Sequence, residues 1–306
     1  MILERFAARW LRLAVWSSIG ALAASGLAAQ TPAQTLFAWE EALTGDEERK
    51  LRWPTAVAAG GVDEIAVTDA AGPALWIFRD RGGAEGWVLQ TTVELPAPAF
   101  SMACGIERFL VSTRQPGRLV TISKPDYRVR EILLPAEIIP GTISCAADNR
   151  LLLHDLAGGR LLLLGEGFEI LTSVPVDGAV SGLSPGSAGD FYAAFPATGE
   201  VRRYGANGDL LGTLAVPGLA PTPAWPVGLL VAANGEVTVA DRHGGRILVL
   251  TAGGRWVGTG SRRGWEPGLL RFPRDIARLP DGRIVVADQG NGRVQVFRRL
   301  EEREQP

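Results

Sequence analysis

The chain has 306 residues, 46% of them hydrophobic, with 38 Gly, 20 Pro and a formal net charge of −2. Hydrophobicity at that level with so little charge excludes a disordered chain, and the weak charge gives no case for nucleic acid, which needs a concentrated basic surface. No lysine-rich cluster points to an anionic membrane surface either, whereas abundant Val, Leu and Ile broken by Gly and Pro suit a turn-rich β protein.

The first thirty residues differ from the rest. Arg5, Arg9 and Arg12 precede the run "LAVWSSIGALAASGLAA", Leu13–Ala29, which is apolar and ends in small residues. Such a pattern predicts a secretory signal peptide over residues 1–29, cleaved at Ala29–Gln30. The alternative is an anchor formed by residues 13–29, because the run approaches the lower limit for spanning a bilayer. Either reading places residues 30–306 outside the cytoplasm, as a periplasmic or secreted domain that meets a membrane only if the segment is retained. Removing residues 1–29 shifts the net charge to −4.

From residue 65 onward one frame recurs. It reads "IAVTDAAGPALWIF", "FLVSTRQPGRLVTI", "LLLHDLAGGRLLLL", "FYAAFPATGEVRRY", "VTVADRHGGRILVL" and "IVVADQGNGRVQVF". The fifth positions are Asp69, Thr113, Asp155, Phe195, Asp241 and Asp288, at intervals of 44, 42, 40, 46 and 47 residues. A period in this range marks a propeller or solenoid array. Strand-type alternation on both sides of the turn, with no amphipathic helical stretch, selects the propeller.

Each unit reads as four strands, and the last shows how the ring closes. After Phe297 only "RRLEEREQP" remains, too charged for a good fourth strand. The N-terminal stretch "QTLFAWEEALTG", Gln34–Gly45, precedes "KLRWPTAVA" much as "GRWVGTG" precedes "LLRFPRDIA". It is therefore expected to supply the missing strand, which removes the open sheet edges.

The stretch "GSRRGWEPGLLRFPRDIARLPDGRIVVADQGNGRVQVF", Gly260–Phe297, resembles an NHL repeat, with its Phe272-Pro273 pair, Asp281-Gly282 turn and Ala287, Asp288, Asn291, Arg293 element. "WPVGLLVAANGEVTVADRHGGRILVL" is similar, and the central units keep the period but lose much of the motif. The resemblance implies an all-β fold: a six-bladed β-propeller of four-stranded repeats. Such propellers serve as binding platforms and, less often, as enzymes, so the fold does not settle function.

A phosphate-cradling glycine loop joins a strand to a helix and occurs once. The turn here joins strand to strand and recurs, so its residues read as structural. Asp69, Asp155, Asp241 and Asp288 are expected to accept backbone N–H bonds. Arg118, Arg160, Arg246 and Arg293 are expected to reach back to a carbonyl or a turn carboxylate.

The catalytic inventory is thin, and no catalytic residue is assigned. His154 and His243 are the two histidines of the chain. His154 reads as packed between blades, and His243, in "DRHGG", as a surface residue. Propeller lyases resemble this fold but bind zinc through several histidines, and two cannot supply a three-His site. No Gly-x-Ser-x-Gly elbow is present. A lactonase-type propeller would converge Glu, Asp and Asn on calcium, but Asn149, Asn207, Asn234 and Asn291 all fall in turns. No cofactor is predicted, although calcium or zinc held by unrelated loop positions is compatible with the sequence. Cys104 and Cys145 suit an oxidising compartment as a disulfide, but small buried residues are the favoured reading.

Trp53 and Trp225 each precede a Pro, as Phe272 does, and read as inter-blade packing. Trp265, in the long loop "GSRRGWEPG", lacks a counterpart in most units. With Arg262 and Arg263 beside it, this loop is the leading candidate contact surface. Arg114, Arg242 and His243 decorate turns expected on the same face. The sequence therefore points to an exported, non-catalytic platform for a protein, peptide or glycan. The alternatives are a metal-dependent hydrolase or lyase at the channel mouth, and a spacer in an envelope complex.

Overall fold

The computed structural model describes residues 34–301, apart from 115, 116, 147 and 220. The predicted signal peptide lies outside the described residues, as does the side chain of Arg114.

Six antiparallel four-stranded units make the fold. Their innermost strands are Pro54–Ala59, Ala99–Cys104, Pro140–Cys145, Gly182–Pro185, Pro226–Val231 and Asp275–Arg278. Each packs against the innermost strand of the next unit, and the sixth returns to the first, so the units form a closed ring of blades. The second strands are deeply buried. Leu151–Asp155, Phe191–Phe195, Val237–Asp241 and Ile284–Asp288 are buried at every position, which is why they read as near-continuous apolar runs.

Among the described residues there is no single central core. Six apolar clusters occur among the described residues, each shared by two neighbouring blades. Val57, Val67 and Phe78 of blade 1, for example, pack against Val285 and Val294 of blade 6. A blade can bury its two faces only against its neighbours, so closure of the ring completes every core.

The N-terminal segment closes the ring as the sequence leads one to expect. Strand β2, Phe37–Leu43, runs antiparallel to Arg293–Arg299 as the outer strand of blade 6, with Phe37 opposite Arg299 and Leu43 opposite Val294. The structure adds a second contact. Strand β1, Gln34–Thr35, pairs in parallel with Trp256–Thr259, the outer strand of blade 5, which makes that sheet five-stranded. The segment thus ties two blades together, with Leu36 and Phe37 in the core between them.

This strap explains "GTG" at the end of blade 5. A methyl built on Gly258 would collide with the Gln34 carbonyl oxygen, and one on Gly260 with the Phe37 ring. Glycine is needed because the backbone and the Phe37 ring of the N-terminal segment lie against the strand.

In every blade the inner strand begins at the end where the second strand turns into the third, as the pairs Pro54–Asp69 and Pro226–Asp241 show. We call that side the top face. The turns between first and second strands, and between third and fourth, lie on the bottom face.

Candidate functional site

The repeated turn is built around its carboxylate. Asp69 accepts hydrogen bonds from the backbone N–H of Arg52 (2.6 Å) and Ala71 (2.7 Å). Asp241 accepts from Trp225 N–H (2.9 Å) and from Arg246 Nε (3.0 Å). Asp288, fully buried, takes the Arg271 N–H (2.6 Å), Asn291 Nδ2 (2.8 Å), Arg293 Nε (3.0 Å) and Gln295 Nε2 (2.8 Å). Each carboxylate thus clamps the segment leading into its inner strand to the turn of the same blade. In Asp155 burial opposes the charge, but Arg160 and several N–H groups outweigh it, and its pKa falls. Burial wins in Asp288, whose pKa rises. Arg118 differs. Thr113 offers it no carboxylate, so it pairs with Glu131 on the outer strand of its blade, while the Thr113 hydroxyl receives its N–H.

The inner strands enclose an axial channel of about 300 Å³. Small and apolar residues line most of it. The charged exceptions come from blade 6: Arg274, Asp275 and Arg278. Asp275 binds across the ring seam, with Oδ2 accepting Val57 N–H (3.0 Å) and Oδ1 its neighbour Ile276 N–H (2.9 Å). Burial pushes its pKa up to about 6 against the pull of those bonds and of Arg274. At the bottom end Lys124 Nζ reaches Gly60 O (2.9 Å) and Cys104 Sγ (3.1 Å). Cys104 and Cys145 are both unpaired, and burial pushes the Cys145 thiol up to about 12. Among the described residues no group of three or more His, Cys, Asp or Glu is placed to hold a metal.

The top face of blades 5 and 6 is of another character. Phe272, which the backbone holds at φ 49°, carries three guanidinium groups around its ring: Arg263 at 5.2 Å, Arg271 at 5.5 Å and Arg242 at 5.6 Å from the centroid. Arg271 also stacks on Trp265 at 3.7 Å, and Trp265 remains 65% exposed. One step toward the axis, Arg274 lies over Phe100 at 5.4 Å. Arg242 donates to neutral acceptors, the Phe272 carbonyl (3.0 Å) and Gln289 Oε1 (2.9 Å).

Several residues marked by the sequence therefore meet here. Arg242, Arg263 and Trp265 belong to one sector, with exposed Arg262 on the same loop. His243 is not a free surface residue: it is half-buried against Trp225, ring centroids 4.8 Å apart. Trp53 corrects the sequence reading more sharply. It is 63% exposed, because Pro54, not Trp53, takes the buried first position of the inner strand. His154 is buried, at 3% exposure, on the second strand of blade 3 and away from the channel lining. Arg271 and Arg274 carry no sequence mark of function. Arg274 stands where other inner strands begin with Thr55, Phe100 or Ser181, and that substitution was the available signal.

The architecture defines a six-bladed β-propeller with one polarised face, and comparison with known proteins agrees. The NHL repeat family matches residues 270–297. NHL repeat-containing protein 3 of Homo sapiens is 30% identical over 106 residues, 32% of this chain and 30% of that protein. Its Mus musculus counterpart is 31% identical over 106 residues, with the same coverage. The chain thus matches about 30% of the length of these curated relatives. Among solved structures, a streptogramin B lyase superposes with a TM-score of 0.59 at 14% identity, over 87% of this chain and 98% of that one. A catalytically inactive virginiamycin B lyase from Staphylococcus aureus with quinupristin gives 0.60 at 14% identity, over 86% and 88% of the two chains. At that identity the likeness is one of fold alone. This chain is similar to NHL-repeat proteins, with the family match falling on residues 270–297.

Proposed function

We propose that the protein is an exported, non-catalytic platform that binds a protein or peptide partner on the top face of blades 5 and 6. The observation that carries this reading is the arginine and aromatic cluster around Phe272 and Trp265. Trp and Arg are the residue types that dominate binding hot spots, and here the loop that carries Trp265 and Arg263 is held against Arg271 and Phe272 at the entry to the inner strand of blade 6. NHL-repeat propellers generally act as protein-interaction scaffolds, which supports the same reading. The basic, apolar N-terminus with Arg5, Arg9 and Arg12 supports export.

Quantitative affinity purification from the extracytoplasmic fraction tests it. The wild-type chain and the Arg263→Gln/Trp265→Ala double variant serve as baits. A partner enriched by the wild type should drop by at least about tenfold with the double variant, as expected for loss of two hot-spot side chains. Unchanged enrichment contradicts the placement. Stoichiometric bound metal together with hydrolytic turnover would contradict the non-catalytic reading.

A further inference from the structure

Five arginines converge on this sector: Arg242, Arg262, Arg263, Arg271 and Arg274. Among the described residues none of them forms an ion pair. The nearby turn carboxylates are already committed, Asp241 to Arg246 and Asp288 to Arg293, Asn291 and Gln295. Asp275 spends its two oxygens on backbone N–H groups. Glu266, on the same loop as Trp265, is exposed and forms no ion pair among the described residues. In a chain of net charge −2 this is a strong local excess of positive charge.

Like charges held together with few counter-charges raise the energy of the free protein, most of all where burial removes water. Both effects act here. Burial, and then the neighbouring Arg274, hold the Arg242 pKa below the usual guanidinium value. Burial lowers that of Arg274 too, with Asp275 offsetting part of the effect. An anion that enters the cluster relieves both costs and gains charge-assisted hydrogen bonds.

Resting on the binding-platform reading, we propose that the ligand of this face is an acidic peptide segment, one of whose side-chain carboxylates seats on Arg274 at the top mouth of the axial channel. Its other carboxylates meet Arg242, Arg263 and Arg271, and Trp265 covers the segment. Arg clusters of this kind recognise acidic motifs through paired N–H donors. The shape favours a peptide over a sulfated glycan. Arg274 is recessed in a channel of about 300 Å³, which accepts a single flexible side chain, whereas a rigid polyanion needs its charges in an exposed row.

The test is fluorescence anisotropy on the whole chain without residues 1–29, using fluorescein-labelled hexaglutamate with an amidated C-terminus. Hexaglutamine, also amidated, is the neutral control, and a heparin-derived octasaccharide is the competing class. The glutamate peptide is expected to bind saturably, the glutamine peptide not. Binding should weaken by at least about tenfold as NaCl rises from about 50 to about 300 mM, since exposed charges are screened over that range. Arg274→Gln and Arg263→Gln should each weaken it by at least about fivefold, the scale of one lost charge-assisted contact. Arg255→Gln, on the bottom face, should leave it unchanged. Arg263 is exposed, so its variant keeps the test valid if Arg274→Gln fails to fold. A folded protein that binds no glutamate peptide overturns the proposal, as does an Arg263→Gln variant as tight as Arg255→Gln. Tight octasaccharide binding without peptide binding overturns it in favour of a glycan. Loss of the affinity-purified partner in the double variant, with no glutamate binding, would sink the acidic ligand and leave the platform standing.

Discussion

Asp275 links the channel to the stability of the ring. Its pKa rises from 3.8 to about 6 on folding, chiefly through burial. Between those values the folded chain holds a proton that the unfolded chain has released. Its contribution therefore weakens as pH rises through the window, and the cost is complete above about 6. Asp288, whose pKa also rises, acts in the same direction, and Asp155, whose pKa falls, acts against it. The difference between wild type and Asp275→Asn isolates the one group. We expect the thermal midpoint of the wild type to fall relative to that of the variant as pH rises from about 4 to about 6. Parallel midpoint-against-pH curves would refute this.

At the scale of elements, the strap at Gln34–Leu43 is the distinctive feature. Gly258→Ala and Gly260→Ala place a methyl against the Gln34 carbonyl and the Phe37 ring. Each should cost about 1–3 kcal/mol, the range for overpacking, read by urea denaturation. Gly212, on the outer strand of blade 4, has nothing within 4 Å of a built Cβ. Gly212→Ala should stay within about 0.5 kcal/mol of wild type. Equal effects at the three positions would show that the strap does not press on blade 5. The outer strand of blade 6 was legible in the sequence because the last repeat lacked one and the first repeat had one to spare. The parallel pairing of Gln34–Thr35 was not, since two residues leave no periodicity to read. The glycines of "GTG" held that information, but only the neighbouring N-terminal segment gives them meaning.

Across the whole molecule, a repeat sequence shows its scaffold more readily than its site. The Ala-Asp turn and its spacing recur because every blade solves the same packing problem, so the ring of blades could be read directly. The candidate site lies where one blade departs from the rest. The Trp265 loop stood out in the sequence because most units have no counterpart to it. Arg274 was harder to read, because its one sequence signal, a charge where other units have Thr55, Phe100 or Ser181, gains meaning only when the channel brings Phe100 and Arg242 near it. Trp53 misled for the converse reason: a recurring position suggested packing, yet its ring points to solvent. It stands beside the inner strand of blade 1, next to blade 6 around the ring.

The central claim is that partners meet the top face of blades 5 and 6. The most direct measurement replaces Trp265, on that face, or Ile106, 70% exposed on the bottom face, with a photo-crosslinking amino acid. Illumination of cells that express each variant should give a discrete adduct from position 265 and none from position 106. An adduct from 106 alone would contradict the account.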